Sequence, residues 1–126
     1  MSYIKKRRVP NSRGLANYLH NLIVRERIIV GKPKARFITK IFAKLISFAK
    51  KDDLESKRRC LSYLPPIRER VINFSKKKRV MKVNAFDKLK ELGKRYAERN
   101  GGYTRTIRCS RNRLGDNAPR FVLALT

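Results

Sequence analysis

The excess of positive charge constrains this chain more than any other feature of its sequence. The chain has 34 lysine and arginine residues against 9 aspartate and glutamate residues, which leaves a net charge of +25 in 126 residues. Such a charge density opposes compaction in water, and the phosphates of a bound polyanion would neutralise it. The chain is nevertheless 41% hydrophobic, which is too much for a wholly disordered protein. The sequence therefore predicts a single folded domain that binds a polyanion.

The sequence argues against several other classes of protein. No apolar run approaches the roughly 20 residues that a membrane span requires. Residues 1–10 are basic but are not followed by the apolar stretch of a secretory signal. Cys60 and Cys109 are too few for a disulfide framework or a four-ligand zinc site, so they are predicted to be ordinary thiols. We therefore expect neither a membrane protein nor a secreted one.

The chain is predicted to consist of a basic N-terminal arm and one α+β domain. The arm, residues 1–14, has no periodic apolar face that could pack on a core. The domain, residues 15–126, contains a basic interruption near residues 73–83. Charge blocks of this kind lie on the surface, in solvent or against a polyanion, so the interruption is expected outside the core.

The first half of the domain is predicted to be mainly helical. Apolar residues recur at helical spacing over residues 15–25, and a β-branched cluster at 28–30 predicts a short strand. The clearest helix begins near Pro33, and a shorter one follows with Asp52 or Asp53 as its N-cap. The apolar stripe of the clearest helix consists of Ala35, Ile38, Phe42, Leu45 and Ala49.

The second half of the domain is predicted to contain one helix and two strands. Asn84 indicates the start of the helix, and Asn100-Gly101-Gly102 indicates its end. Residues 103–110 and 120–125 alternate in the manner of strands and are predicted to form an antiparallel hairpin with one covered face. The fold class is therefore α+β, with helices packed on one face of a small mixed or antiparallel sheet that ends in a C-terminal β-hairpin.

Groups suited to catalysis are scarce in this sequence. His20 is the only histidine, and no nucleophile motif surrounds it. Asp52, Asp53, Glu91 and Glu98 could bind Mg²⁺ as in a nuclease, but capping and ion pairing on helix surfaces explain these carboxylates more simply. We therefore expect no enzyme, no catalytic residue, no metal, no cofactor and no small-molecule substrate.

The basic residues occur in clusters along the whole chain. Cations at several loops and element ends can contact several backbone segments of a folded RNA, whereas one basic helix would fit one groove of a duplex. Tyr3, Tyr63, Phe74 and Tyr103 could stack on unpaired bases, although packing explains Tyr103 equally well. A general nucleic-acid-coating or DNA-binding protein is the alternative. The predicted RNA-binding residues are Lys5, Lys6, Arg7, Arg8, Arg13, Lys32, Lys34, Arg36, Arg58, Arg59, Lys76, Lys77, Lys78, Arg79, Arg105, Arg108, Arg111 and Arg113.

Two specific motifs lie in the C-terminal part of the chain, over residues 92–105 and 115–119. The first reads Leu-Gly-x-x-Tyr-x-x-Arg-Asn-Gly-Gly-Tyr-Thr-Arg, and the second reads Gly-Asp-Asn-Ala-Pro. Shorter motifs are Leu22-Ile23-x-x-Glu26-x-Ile28, Lys34-Ala35-Arg36, Lys44-Leu45-Ile46-x-x-Ala49-Lys50 and Arg58-Arg59. Together they resemble the bacterial-type large-subunit ribosomal protein L17 family, and the likeness covers residues 15–126.

The resemblance implies a role as well as a fold. Members of the family are non-catalytic, bind large-subunit ribosomal RNA and lie beside other ribosomal proteins near the tunnel-exit side. The ribosome is expected to be cytoplasmic, with an organellar ribosome left open. The first 13 residues are shorter than the family's usual His- and Arg-rich tail and differ from it in pattern, so contacts of the arm do not carry over residue by residue. The tract 65–83 looks longer and more basic than usual.

Overall fold

The computed structural model describes residues 12–64 and 84–126, which contain four helices and three strands. The predicted cations Lys5, Lys6, Arg7, Arg8 and Lys76 to Arg79 lie outside the described residues, as do Tyr3 and Phe74. The elements in chain order are α1 (Ser12–Arg25), β1 (Arg27–Val30), α2 (Lys32–Lys51), α3 (Leu54–Tyr63), α4 (Ala85–Arg95), β2 (Thr104–Arg108) and β3 (Phe121–Leu125).

Helix α2 forms the centre of the core, as the spacing of its apolar residues predicts. Pro33 stands in its first turn, where the missing N–H breaks no helical hydrogen bond. The helix ends at Lys51 because Asp52 adopts the left-handed conformation, with φ 50°. Of the predicted stripe, Ala49 is half-buried and the other four residues are buried: Ala35, Ile38, Phe42 and Leu45.

Side-chain caps begin helices α3 and α4. Asp53, rather than Asp52, caps α3 by accepting a hydrogen bond from the Leu54 N–H at 2.8 Å. Asn84 caps α4 by accepting from the Phe86 N–H at 3.1 Å. The predicted end of α4 at residues 100–102 is wrong, because the helix stops at Arg95 and turns follow it.

The early end of α4 has a tertiary cause in Tyr96. The Tyr96 hydroxyl donates to the backbone carbonyl of Thr126 at 2.8 Å, and its ring lies 5.2 Å from that of Tyr103 between centroids. The Thr126 N–H also donates to the Tyr103 carbonyl at 3.0 Å. These contacts connect the end of α4 to Thr126, the residue that directly follows β3.

The three strands form an antiparallel sheet in the order β1–β3–β2. Ile28 and Val30 of β1 and Leu123 of β3 are buried under the helices. Alternate residues point to opposite sides of a strand, so the other side of β1 is open, and Ile29 there is 61% exposed. The predicted arrangement of helices over one face of a small sheet is confirmed in this antiparallel form.

Strand β2 is a largely exposed edge, and the covered face predicted for it is wrong. Thr104 is half-buried, while the remaining residues of β2 are exposed, including Ile107 at 51%. The strand order explains this exposure. Strand β1 packs closest to α1, and β3 lies between β1 and β2, so β2 is the strand farthest from that helix. The buried Tyr103 lies just before the strand rather than in it.

Gly102 is the one described glycine with a positive φ, at 64°, in the turn that leads into β2. A side chain in this conformation costs about 1–2 kcal/mol, so Gly102→Val should lower the free energy of unfolding by that amount. Urea unfolding of the full chain, followed by circular dichroism, measures the change. Gly101→Val is the matched control, because a Cβ at Gly101 meets no atom within 4 Å and its φ is not positive. Equal losses in both variants would contradict the prediction.

Candidate nucleic-acid interface

The predicted cations that the structure describes lie on three helices, on one strand and in one loop. Arg13 lies in the first turn of α1. The others lie in the first turns of α2, on α3, on β2 and in the loop between β2 and β3, and all of them are exposed: Lys32, Lys34, Arg36, Arg58, Arg59, Arg105, Arg108, Arg111 and Arg113.

The first turns of α2 carry three cations where a helix favours negative charge. The N-terminal end of a helix has a partial positive charge, and α2 has no acidic residue in its first turn to balance it. Lys34 Nζ donates to Tyr18 Oη at 3.2 Å and lies 5.2 Å from the centre of that ring. Lys32 and Arg36 are exposed and form no ion pair within residues 12–64 and 84–126.

On helix α3, the two predicted arginines differ in their surroundings. Arg59 forms an ion pair with Glu55, one helical turn earlier, and its guanidinium lies 5.6 Å from the Phe48 ring centroid. Arg58 is exposed and has no such partner among the described residues. The guanidinium of Arg59 is therefore partly engaged inside the chain, whereas that of Arg58 is available for an external anion.

The sheet separates Arg105 from Arg108, which the sequence groups together. These residues are three apart on β2, so their side chains point to opposite faces. Arg105 pairs in register with Ala124, which pairs in turn with Arg27 on β1. Arg105 and Arg27 therefore share the open face of the sheet. Arg27 is absent from the predicted set, because the strand order and register that place it on the same face as Arg105, across Ala124, are not visible in the sequence.

In the loop between β2 and β3, Arg113 has a structural role. Its Nε donates to Asp116 Oδ1 at 2.9 Å, and its backbone exchanges hydrogen bonds with Asn117 and Ala118. The hydrogen bond from Arg113, followed by one from the Ala118 N–H, holds the pKa of Asp116 far below its usual range. Arg113 thus closes the loop, and Arg111 is exposed in the same loop.

Glu26 links three elements through its backbone and its carboxylate. It sits between α1 and β1 with φ 59°, and its carbonyl accepts the Leu125 N–H at 2.9 Å. Its carboxylate lies 3.2 Å from both Arg95 Nη2 and Lys88 Nζ on α4. The hydrogen bond from Arg95, and then that from Lys88, lower the pKa of Glu26. These two cations therefore serve the fold rather than an external anion.

The lowered pKa of Glu26 makes its contribution to stability depend on pH. The folded-state pKa lies below the ordinary value of 4.5, so the contribution is present above 4.5 and is lost as the pH falls through the folded-state value. Glu26→Gln should lower the free energy of unfolding at neutral pH by about 0.5–1 kcal/mol, because a half-exposed pair is screened by solvent. Urea unfolding at neutral and strongly acidic pH measures the difference, which should shrink in acid.

The exposed Glu91 provides the control for this prediction, since it forms no ion pair within the described ranges. Glu91→Gln should leave the unfolding free energy nearly unchanged at both pH values. A difference between Glu26→Gln and the wild type that persists undiminished in acid would contradict the ion-pair explanation.

The remaining sequence predictions concern aromatic and sulfur groups. Tyr103 is only 5% exposed, so it packs in the core and does not offer a ring face to a base. Tyr63 is half-buried. Cys60 is buried, Cys109 is half-buried and both are free thiols, as predicted; burial raises the pKa of Cys60.

Among residues 12–64 and 84–126, no three His, Cys, Asp or Glu side chains come together as a metal site would need. None of the helices in those ranges combines the length and the apolar character needed to cross a bilayer.

The fold and its surface define a small basic α+β protein whose exposed cations lie on several elements. Residues 14–126 match the family described as ribosomal protein L17, and the chain belongs to that family. It is a structural, non-enzymatic constituent of the large ribosomal subunit, in the ribosome of the cytoplasm. The sequence-based assignment to this family is therefore confirmed.

Three relatives show how far the similarity extends. The chain is 36% identical to the large ribosomal subunit protein bL17 of Mycoplasma capricolum, over 99% of both chains. It is 38% identical to the bL17 of Ligilactobacillus salivarius, over 88% of this chain and 86% of the relative. It is 39% identical to the bL17 of Hyphomonas neptunium, over 87% of this chain and 67% of the relative.

Proposed function

We propose that this protein binds large-subunit ribosomal RNA and holds separate segments of it together. The observation that carries the proposal is the distribution of exposed cations that form no ion pair within residues 12–64 and 84–126, which lie on α2, α3, β2 and the loop that follows β2. Cations on distinct elements can contact several RNA segments at once and reduce the repulsion between them. The binding is thus structural and involves no chemical step.

The first turns of α2 support this proposal most directly. Lys32 and Arg36 lie where the helix dipole disfavours positive charge, so they cost the isolated helix stability. Phosphates at this position would offset both positive charges and would also meet the unpaired N–H groups of the first turn. An external anion therefore accounts for a charge arrangement that the fold alone does not favour.

The proposal extends to two further regions, most of whose residues lie outside the described ranges. We assign RNA contacts to the arm, residues 1–14, through Lys5, Lys6, Arg7, Arg8 and Arg13, and to the interruption near 73–83 through Lys76 to Arg79. Residues 15–126, which include the interruption, then act as one RNA-binding domain. The resemblance to the family supports neighbours that are ribosomal proteins near the tunnel-exit side of the large subunit.

Sedimentation tests the proposed function in the protein's own cells. Tagged protein should move with the large subunit on a sucrose gradient and should stay with it after a wash in about half-molar salt, since specific contacts outlast screened ones. Protein that spreads over bulk nucleic acid and washes off would indicate a coating protein and would contradict the proposal. Equal affinity for duplex DNA and for large-subunit ribosomal RNA would contradict it as well.

Paired substitutions on α2 distinguish RNA contacts at specific positions from a general effect of the positive charge. Lys32→Gln with Arg36→Gln should weaken binding to large-subunit ribosomal RNA by about tenfold at physiological salt, because two phosphate contacts are lost. The same pair should not lower the free energy of unfolding, because it removes an unfavourable interaction with the helix dipole. Lys40→Gln with Lys44→Gln removes the same charge from exposed positions of the same helix. Equal losses of affinity in both pairs would favour general coating.

The basic interruption is tested by competition during subunit assembly. Replacing Lys76 to Arg79 with alanine should reduce incorporation into large subunits when variant and wild type are expressed together, since four charges that contact RNA are lost. Circular dichroism of the variant should match the wild type, because a run of four cations is not expected to pack in a core. Unchanged incorporation would remove this tract from the proposed interface.

A further inference from the structure

A cleft lined by lysines lies where the end of α2, the start of α3 and the last turns of α4 meet. Its volume is about 500 Å³, and it is separate from the cations predicted from the sequence. The ammonium-bearing side chains come from three elements, and small residues lie between them. The lining residues are Ala49, Lys50, Asp52, Lys57, Lys90, Gly93, Lys94 and Ala97.

The close approach of α2 and α4 places these lysines around one space. A Cβ added to Gly93 would lie 3.1 Å from the Ala49 Cβ and 3.2 Å from its carbonyl carbon, so the helices nearly touch at this point. Lys50 follows Ala49 on α2, and Lys94 follows Gly93 on α4. Lys90 lies one turn before Lys94, and residues four apart share a helix face.

The cleft carries a surplus of positive charge. Lys57 Nζ lies 3.1 Å from Asp52 Oδ1, and Asp52 is the one carboxylate among the lining residues. The hydrogen bond and charge of Lys57, followed by the charges of Lys90 and Lys94, lower the pKa of Asp52. One carboxylate among four ammonium groups leaves most of the positive charge uncompensated, and like charges at Lys90 and Lys94 oppose helix formation.

Two of the lysines are held in place by contacts inside the chain. Lys50 Nζ donates to the Arg99 carbonyl and to Tyr103 Oη, the latter at 2.9 Å. Lys90 Nζ lies 4.8 Å from the centre of the Phe86 ring. An ammonium group has three N–H donors, so each lysine keeps donors for an external acceptor. Positioning these side chains before binding reduces the entropy lost on binding.

We propose that this cleft binds a phosphodiester segment of ribosomal RNA, an inference that rests on the proposed function. Phosphate oxygens would accept from the free N–H groups and neutralise the charge that Asp52 leaves uncompensated. A cleft of about 500 Å³ falls in the size range that holds a nucleotide-sized ligand rather than a single small ion. The proposed RNA contact is thus formed by residues that lie far apart in the sequence: Lys50, Lys57, Lys90 and Lys94.

Lysine acetylation followed by mass spectrometry tests the cleft directly. The full chain is labelled free, in complex with large-subunit ribosomal RNA, and with inorganic phosphate at the same total phosphate concentration. The RNA should slow the labelling of Lys57, Lys90 and Lys94, while inorganic phosphate should leave it unchanged. Equal protection by inorganic phosphate would overturn the RNA assignment in favour of a free-anion site.

The same experiment separates failure of the cleft from failure of the proposed function. If the RNA is retained but the lysines of the cleft label as fast as in the free protein, the cleft proposal is wrong and the proposed function stands. If no RNA is retained, both are wrong. Protection of the cleft lysines, with Lys40 and Lys44 unaffected, would support both.

Binding measurements on matched variants give a second readout. Lys90→Gln with Lys94→Gln should weaken RNA binding about tenfold and should flatten its dependence on salt, because fewer counterions are released. Lys40→Gln with Lys44→Gln is the control, since it removes the same charge from exposed positions on α2 outside the cleft. Circular dichroism verifies that both pairs fold. Equal affinities and salt slopes for the two pairs would overturn the proposal.

Discussion

Replacing Phe42 with alanine is expected to lower the free energy of unfolding by about 3–5 kcal/mol, because a large buried ring is lost and leaves a cavity. Phe42 has no exposed surface and lies at the middle of α2, which contacts α1, α3, α4 and β3. Neighbouring helices cannot close the gap without losing their own contacts. Urea unfolding of the full chain in a sulfate buffer, where anions screen its charge, measures the change.

Phe37→Ala is the matched control for this prediction. The substitution is the same, and it lies on the same helix, but Phe37 is 37% exposed. A partly exposed ring buries less area and leaves a space that water can fill, so the free energy of unfolding should fall by only about 1 kcal/mol. Losses of similar size in both variants would mean that α2 does not form the centre of the core.

The helical part of the fold could be predicted because its signals are local. The apolar stripe of α2 repeats within a few residues, and Asp53 and Asn84 cap their helices by hydrogen bonds to the next residue or the one after it. Each of these features depends on neighbours in the sequence. These features can therefore be recognised from the sequence alone.

The parts that the sequence predicts wrongly depend on tertiary contacts. Alternation along β2 indicates a covered face, but burial is decided by the strand order, which places β2 at the edge. Helical spacing continues past Arg95, yet the hydrogen bond from Tyr96 to Thr126 favours a turn instead. Both errors arise because residues far apart in the sequence supply the deciding interaction.

The candidate interface shows the same division between local and distant signals. Runs of basic residues identify the cations of α2 and α3, which the structure places at the surface. The pairing of Arg59 with Glu55 could have been anticipated from their spacing of four on a helix. The lysines of the cleft could not, since they are brought together only by the packing of α2, α3 and α4.

Gly93→Val is the second substitution expected to have a large effect, and helix propensity alone predicts the opposite sign. Valine favours a helix more than glycine does, so an exposed site would gain stability. At Gly93, however, the new Cβ would lie 3.1 Å from the Ala49 Cβ and 3.3 Å from the Ala49 backbone oxygen. Backbone atoms cannot rotate away as a side chain can, so α2 and α4 must separate. Overpacking of this kind should lower the free energy of unfolding by about 2–3 kcal/mol.

A double-mutant cycle with Ala49→Gly tests the cause of that loss. Removing the Ala49 Cβ relieves one of the three close contacts and leaves those to its backbone carbon and oxygen, at 3.2 and 3.3 Å. Ala49→Gly should therefore recover part of the stability lost in Gly93→Val, and urea unfolding of the four proteins gives the coupling energy. Strict additivity would show that the two residues do not meet. It would also undermine the cleft, because the contact between Gly93 and Ala49 is what brings Lys50 of α2 close to Lys90 and Lys94 of α4.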